Sequence, residues 1–395
     1  MKVLMVTREM PYDKRYGLGK SLSPLMEGLA LAGIPCIYFA RSEAKQVILP
    51  WHLAWLPRIL GLLGRTARLP LLLALEERLL VGMSSGVYSL ARGISHIHLH
   101  DPWLAIGFLL SRMKCWGRKR RSVWGVTQHG YGSFANATRM DGLKQSAIQN
   151  TCLNYVEKRI LLQASWVVVP TQRSMQQLLK DVGLDNAPKA WAVIPHPKPQ
   201  TLVHSKSDAR MAIGLSESLF LIVAIGRMVP LKRFDRIIEA FSDLAMEFPD
   251  LYLVMLGDGG EKMILEALAD ELNVASRIRI LCVNDVSPYL SAADLYVSAS
   301  ETESFGLANL EALCAGLPCI CSAVGGVPEV MGEAAVLYDP DQSNLADLLR
   351  SVLENPDWRD QLVKKAREVS SKWPTQEVVA QKYLQLFQLS LPNES

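Results

Sequence analysis

The stretch Leu219-Phe220-Leu221-Ile222-Val223-Ala224-Ile225-Gly226-Arg227-Met228-Val229-Pro230-Leu231-Lys232-Arg233-Phe234-Asp235 decides the fold. An unbroken apolar run ends on Gly226, and a proline-bearing turn then leads into a helically spaced pattern. A strand apolar on both faces is one covered by helices on both sides, as in a parallel sheet. The same alternation extends in both directions. Before it, the candidate strands are Val3 to Thr7, Pro35 to Ala40, His96 to His100, Ser122 to Thr127 and Trp166 to Pro170. After it come Leu251 to Gly257, Arg277 to Cys282, Ala293 to Ser298, Pro318 to Ser322 and Ala335 to Tyr338. Short apolar runs separated by helical patterns read as βαβ units, so the class is α/β.

A chain of 395 residues suits two such domains. Ile194-Pro195-His196-Pro197-Lys198-Pro199 cannot continue a helix or a sheet interior and reads as the linker. The expected division is residues 1–195, an N-terminal Rossmann-like domain, and 196–372, a C-terminal Rossmann-like domain. In 373–395, a helix from Thr375 to Leu389 follows Trp373-Pro374 and packs back towards the first domain. With 49% hydrophobic and 21% charged residues the chain is a packed globular protein, and disorder is excluded. A net charge of +3 on this length argues against a dedicated nucleic-acid binder. The 7 cysteines are scattered, and Cys319-x-Cys321 has the wrong spacing for a zinc ribbon or a thioredoxin pair, so buried free thiols in a reducing compartment are expected. The N-terminus opens on a strand rather than a signal peptide, and no stretch reaches membrane-spanning length, which predicts a cytoplasmic protein.

Two segments carry chemistry. Arg227 and Lys232 follow a strand of a parallel sheet, at the end where such sheets bind ligands. Arginine offers a hydrogen-bonding fork and lysine a point charge, together enough to neutralise a diphosphate without metal. The plainer alternative is a solvated turn with two unconnected cations. The second segment is Ser300-Glu301-Thr302-Glu303-Ser304-Phe305-Gly306-Leu307-Ala308-Asn309-Leu310-Glu311-Ala312. Ser304-Phe305-Gly306 can start a helix whose free N–H groups face an anion, with Glu303 in the loop and Glu311 about two turns on. A loop carboxylate can accept hydrogen bonds from sugar hydroxyls, and a helical one can grip a ribose diol. Alternatively this is an N-capped helix with two incidental acids.

In order along the chain, Gly226-Arg227 with Lys232, Gly257-Asp258-Gly259, Glu303 to Glu311, Gly316-Leu317-Pro318 and Gly325-Gly326-Val327-Pro328-Glu329 resemble glycosyltransferase family 4. The resemblance is dense from Phe220 to Tyr338. It implies the GT-B fold, two Rossmann-like domains facing each other across a cleft, and sugar transfer with retention from a nucleotide diphosphate sugar. It further implies that Arg227 and Lys232 bind the donor diphosphate and stabilise the leaving group, that Glu303 holds donor-sugar hydroxyls, and that Glu311 holds the ribose. Gly226, Ser304, Phe305, Gly306 and Leu307 would line the phosphate or sugar, and Asn284 and Val286 would border the nucleobase. In Tyr16-Gly17-Leu18-Gly19-Lys20-Ser21, Gly17 and Gly19 match the family's glycine loop near phosphate and acceptor. A P-loop is excluded there, because Lys14 stands where a Walker motif needs glycine. His129-Gly130 matches a His-Gly near the reacting sugar, which makes His129 a catalytic candidate.

His98, His100 and Asp101 close a strand. Both histidines share one face with no third metal ligand evident, so the segment reads as a wall of the acceptor site with Asp101 touching the acceptor. No metal and no other cofactor is expected. UDP is the default nucleotide, with GDP and ADP equally compatible. The sequence departs from the family at Pro195-His196-Pro197, where Pro-Asn-Gly is common. Asp339-Pro340-Asp341 has a D-x-D pattern but sits after the last strand and reads as a turn.

Family 4 acceptors include glycans, lipid-linked molecules and small metabolites. Two segments favour an acceptor at an anionic membrane surface, peripheral at its inner face. Residues 51–80 combine Trp51, Trp55, Ile59, Leu60, Leu62, Leu63 and Leu71-Leu72-Leu73 with Arg58, Arg65 and Arg68, and are interrupted by Pro57 and Pro70. Residues 114–121, Lys114-Cys115-Trp116-Gly117-Arg118-Lys119-Arg120-Arg121, form a basic cluster with an aromatic. The plainer alternative packs the first segment on its own sheet and leaves the second a solvated turn. Competing functions are a catalytically inactive sugar-nucleotide-binding or scaffold protein and a sugar phosphorylase carrying pyridoxal phosphate.

Overall fold

Apolar runs too short for helices bury both faces by lining up in parallel beneath helical layers, and the chain does this twice. The computed structural model describes residues 1–9, 17–66, 69–114, 122–140, 142–143, 145–200 and 204–389. The first sheet contains β1 (Val3–Val6), β2 (Cys36–Phe39), β3 (His96–Leu99), β4 (Val123–Thr127), β5 (Val167–Val169) and β6 (Trp191–Val193). They run parallel in the order β2-β1-β3-β4-β5-β6. The second sheet contains β7 (Phe220–Ile225), β8 (Leu251–Leu256), β9 (Ile278–Leu281), β10 (Leu295–Ser298), β11 (Cys319–Ser322) and β12 (Val336–Tyr338). Its order is β12-β11-β10-β7-β8-β9, again all parallel. Numbered from its own first strand, this is the 3-2-1-4-5-6 order of a dinucleotide-binding sheet. The strands fall where the apolar runs predict, with the addition of β6, a short strand beside the linker.

Contacts divide the chain into two units. The first comprises residues 1–13, 21–197 and 375–395, the second 14–20 and 198–374. Pro195, His196 and Pro197 therefore group with the first unit, and after the short 14–20 segment the division falls at 197–198 and again at 374–375. In the first unit one sheet face packs Val3, Met5, Trp166 and Val168 against Val379, Tyr383 and Phe387 of the Gln376–Leu389 helix. The other face packs Leu4, Val6, Leu99 and Val167 against Phe108, Leu161 and Leu178. In the second unit Ile222, Leu253, Ile238 and Phe241 fill one face, and Val223, Tyr296, Phe305 and Leu310 the other. Each such side chain contributes about 1.5–3 kcal/mol by leaving water.

Two expectations are corrected. Cys319 and Cys321 are buried in β11, but Cys152 and Cys282 are exposed; Cys115 lies outside the described residues. Pro57 does not interrupt the segment after Trp51: the Trp51–Thr66 helix runs through it, and the break falls before the next helix, Pro70–Arg92. That first helix buries Leu53 but leaves most of its large apolar residues exposed. Its buried residues are Leu53, Ala54, Pro57, Gly61 and Gly64, and a Cβ at Gly64 would stand 2.8 Å from Leu73 Cδ2 of the Pro70–Arg92 helix. Close approach through small residues thus turns Trp51, Trp55, Ile59, Leu62 and Leu63 outward. Asp339-Pro340-Asp341 forms a turn, with Asp341 N donating to Asp339 Oδ1 at 3.0 Å. Among the described residues no helix is long and apolar enough to cross a membrane.

Candidate active site

In an open parallel sheet ligands bind beyond the carboxyl ends of the strands, where neighbouring strands send their connections in opposite directions. In the second unit that switch point lies between β7 and β10. The loops leaving it are 226–233, which carries Arg227 and Lys232, and 299–306, which carries Glu303. Backbone hydrogen bonds tie these loops together: Glu301 N donates to Leu231 O at 2.8 Å, Met228 N to Asp258 O at 2.9 Å, and Gly326 N to Glu303 O at 2.9 Å. Gly325 has a φ of +51°, and a Cβ there would stand 1.9 Å from Glu303 O. Only glycine allows that approach. Glu303 is therefore positioned by its own backbone.

Its side chain meets Lys232: the Lys232 ammonium donates to Glu303 Oε1, and both side chains are 17% exposed. Ser300 Oγ donates to the same oxygen at 3.4 Å. Arg233, at a φ of 48°, turns away to Asp235 and Glu301, whose carboxylates push its pKa up. Arg227 is exposed at the mouth of the loop. After Gly306, at a φ of 84°, the Leu307–Cys314 helix begins and turns the positive end of its dipole to this point. Glu311 is buried on that helix, and Lys20 Nζ, which groups with the second unit, lies 2.8 Å from its Oε1. Val286 and Phe305 bury their side chains in the core, and Val286 O accepts from Leu290 N at 3.0 Å; Asn284 is exposed. Gly226 closes β7, its N–H donating to Leu256 O at 3.0 Å.

The first sheet has its own switch point, between β1 and β3. Gly17 opens the Gly17–Leu31 helix and Gly19 is buried in it; residues 10–16 lie outside the described residues. At the end of β3, His98 and His100 share one face with ring centroids 4.2 Å apart. His100 Nδ1 lies 3.0 Å from Nε2 of His129, beyond β4. His196 stacks on His129 with centroids 5.5 Å apart and planes 2° from parallel. The residue that departs from the family pattern thus lies against the histidine that fits it. Burial, then the neighbouring rings, hold His100 and His129 well below the usual histidine pKa. Asp101 has both carboxylate oxygens engaged: Oδ2 with Arg78 at 2.8 Å and Arg8 at 3.3 Å, and Oδ1 with Trp103 N at 2.9 Å. That makes it a buttress of the loop after β3.

Glu157 is fully buried behind the His129 loop. Its Oε2 accepts from Trp103 Nε1 at 3.0 Å and Phe134 N at 2.8 Å, and its Oε1 accepts from Gln128 Nε2 at 3.4 Å. Burial raises its pKa to about 8 against the pull of these donors. Glu157 stands in no local motif, whereas Lys20 lies inside the quoted glycine loop.

Residues 205–369 match the family described as glycosyl transferases group 1. N-acetyl-alpha-D-glucosaminyl L-malate synthase of Bacillus anthracis is 33% identical over 173 residues, 42% of this chain and 45% of that protein. The match thus spans less than half of that relative's length. Among solved structures, sucrose-phosphate synthase from Thermosynechococcus elongatus superposes with a TM-score of 0.76 at 20% identity, covering 98% of each chain. The Anabaena protein HepE, solved in complex with UDP and glucose, superposes with a TM-score of 0.70 at 17% identity, covering 98% of this chain and 99% of its own. At these identities the likeness is one of fold, and the two six-stranded sheets have the GT-B architecture. Over residues 205–369 the chain is thus similar in sequence to glycosyl transferases group 1.

Proposed function

We propose that the chain transfers a hexosyl group from a nucleoside-diphosphate sugar to an acceptor with retention at the anomeric carbon. The observation that carries this is the second unit's switch point, where Arg227, Lys232, Glu303 and a helix N-terminus meet on loops locked by backbone bonds. The diphosphate lies against Arg227, Lys232 and the helix start, Glu303 takes hydroxyls of the sugar, and Glu311 takes the ribose. As the sugar leaves, charge grows on the diphosphate, and the two cations stabilise it without a metal ion. The leaving phosphate accepts the acceptor's proton, so Glu303 orients and does not attack. The family resemblance gives His129 a role at the reacting sugar, and Gly17 and Gly19 a role at phosphate and acceptor. UDP is the first donor base to test, since HepE was solved with UDP and glucose. A thermal-shift screen of UDP-, GDP-, ADP- and dTDP-sugars with EDTA should give a shift with one base that Lys232→Ala abolishes. Turnover should fall about a thousandfold or more in that variant with the fold intact. Near-normal turnover would overturn the assignment, and binding without turnover in the wild type would point to an inactive sugar-nucleotide binder.

The acceptor, in this reading, is a glycan or lipid-linked molecule presented at the cytoplasmic face of an anionic membrane. The outward face of the Trp51–Thr66 helix supports it: Trp51 is 85% exposed and Leu62 59%, with Trp55, Ile59 and Leu63 alongside. Arg58 and Arg65 are also exposed, and no acidic residue occurs from Val47 to Leu75. Tryptophan and arginine without acids suit an anionic headgroup layer. Arg68 and residues 115–121 lie outside the described residues. Flotation with phosphatidylglycerol vesicles at low salt should recover the protein, and Trp51→Glu with Trp55→Glu should reduce recovery about tenfold. No flotation of the wild type would remove this reading.

A further inference from the structure

His98, His100, His129 and His196 form a file of rings in the first unit, and their ring nitrogens carry an assignment of protons. His100 Nδ1 and His129 Nε2 are 3.0 Å apart, so one of them must donate to the other. His100 Nε2 is buried and, among the described residues, has no hydrogen-bond partner. Were His129 the donor, the single proton of neutral His100 would sit on that Nε2, an N–H sealed from water without an acceptor. An orphaned buried N–H is the rarest and costliest of these arrangements, whereas a bare ring nitrogen strands no proton. Burial keeps both rings neutral, so a doubly protonated ring does not relieve the problem.

We infer that His100 donates its Nδ1–H to His129 Nε2 and so fixes His129 as the Nδ1–H tautomer, opposite to the form free histidine prefers. His100 is then a positioning residue, and His129 acts through an Nδ1–H donor and not through Nε2. The adjacent His98 follows the same rule in mirror form. Its Nδ1 is buried and unpartnered among the described residues, so its proton sits on Nε2, 2.7 Å from Thr127 Oγ1, which lies 3.2 Å from Tyr383 Oη. Two histidines two positions apart, one in β3 and one just past its end, thus hold opposite tautomers, each dictated by which nitrogen finds a partner. The register places them: His98 lies opposite Gly125 and Leu99 opposite Val126 on β4, so His100 follows at the end of the strand that leads towards the loop of His129.

The role of His129 at the sugar rests on the glycosyltransferase reading, but its tautomer does not. Full-length protein labelled with 15N in the imidazole rings is examined by long-range 1H–15N correlation at pH 7.5, the His129 signals being identified by their loss in His129→Asn. Protonated Nδ1 and bare Nε2 on His129 is the expected result. His100→Leu should return His129 towards Nε2–H, and His100→Asn, whose amide nitrogen falls near the original Nδ1, should preserve the Nδ1–H form. In turnover, His100→Leu should lower kcat about tenfold with KM for the donor within about twofold, and His100→Asn should recover most of it. An Nε2–H tautomer on His129 of the wild type overturns the inference, as does a His129 tautomer indifferent to His100→Leu. A wild type without transferase activity would defeat the functional reading and leave the nitrogen spectrum to decide this one.

Discussion

Replacing His98 by glutamine should flatten the acid sensitivity of the first unit. His98 is 0% exposed, and burial lowers its pKa from 6.5 to about 3. Its folded pKa lies below its unfolded one, so the unfolded chain binds the extra proton. The stability it permits is present in full above pH 6.5 and is lost as the pH falls towards 3. Between pH 6.5 and 5.0 the loss is 1.5 pH units at about 1.36 kcal/mol each, or about 2 kcal/mol. Glutamine carries an amide nitrogen near the position of Nε2, keeps the donor to Thr127 Oγ1 and does not titrate. His100 and His129 shift in the same direction as His98, and Glu157 in the opposite one, but all three are common to both proteins and cancel in the difference. The assay is urea unfolding followed through tryptophan fluorescence; Trp166 lies edge-on to His98 at 6.1 Å. Whatever His98→Gln costs at pH 7.5, the wild type should be about 2 kcal/mol worse off relative to it at pH 5.0. A stability gap equal at the two pH values would refute the claim that His98 is held neutral by burial.

Further outcomes follow from the same geometry. Gly325→Ala places a methyl against Glu303 O at a positive φ, so it should cost about 1–3 kcal/mol and lower turnover with it, read by thermal shift and sugar transfer. Glu157→Gln should gain on the wild type by about 1.4 kcal/mol per pH unit between pH 5 and 8. The buried carboxyl, with its pKa raised to about 8, loses stability as the pH rises from the unfolded value, and the amide does not; urea unfolding across that range measures it. Phe387→Ala opens a cavity beside Trp166 and should cost about 3–5 kcal/mol in the first unit, and the second unit's unfolding should not move.

Strand positions were legible because a central parallel strand has to be apolar on both faces, as Leu219 to Ile225 is. Trp191–Val193 was not, since three residues beside a proline linker carry no period. In the second unit the sequence shows Arg227, Lys232 and Glu303, but not their arrangement. That depends on backbone bonds such as Glu301 N to Leu231 O, which any residue can make and no composition betrays. His129 was readable from its family setting. Its contacts with His100 and His196 were not, because which rings meet depends on strand register and on the path of the loops. The Trp51–Thr66 helix shows a third limit: spacing gives its faces, but only the tight approach at Gly64 says that the large residues turn outward.

The Gln376–Leu389 helix has a consequence for how the chain is made. Its Val379, Tyr383 and Phe387 complete the core built on β1 and β5, although residues 198–374 of the other unit intervene. On a ribosome the first sheet therefore waits roughly 10–40 s for its last layer, and the second unit, emerging whole, can finish first. During that interval Trp166 and Met5 lack their cover, which makes the nascent N-terminal half the stage at which a holdase chaperone matters most. A nonsense mutation near residue 375 would leave the later-made half folded and the earlier-made half stranded.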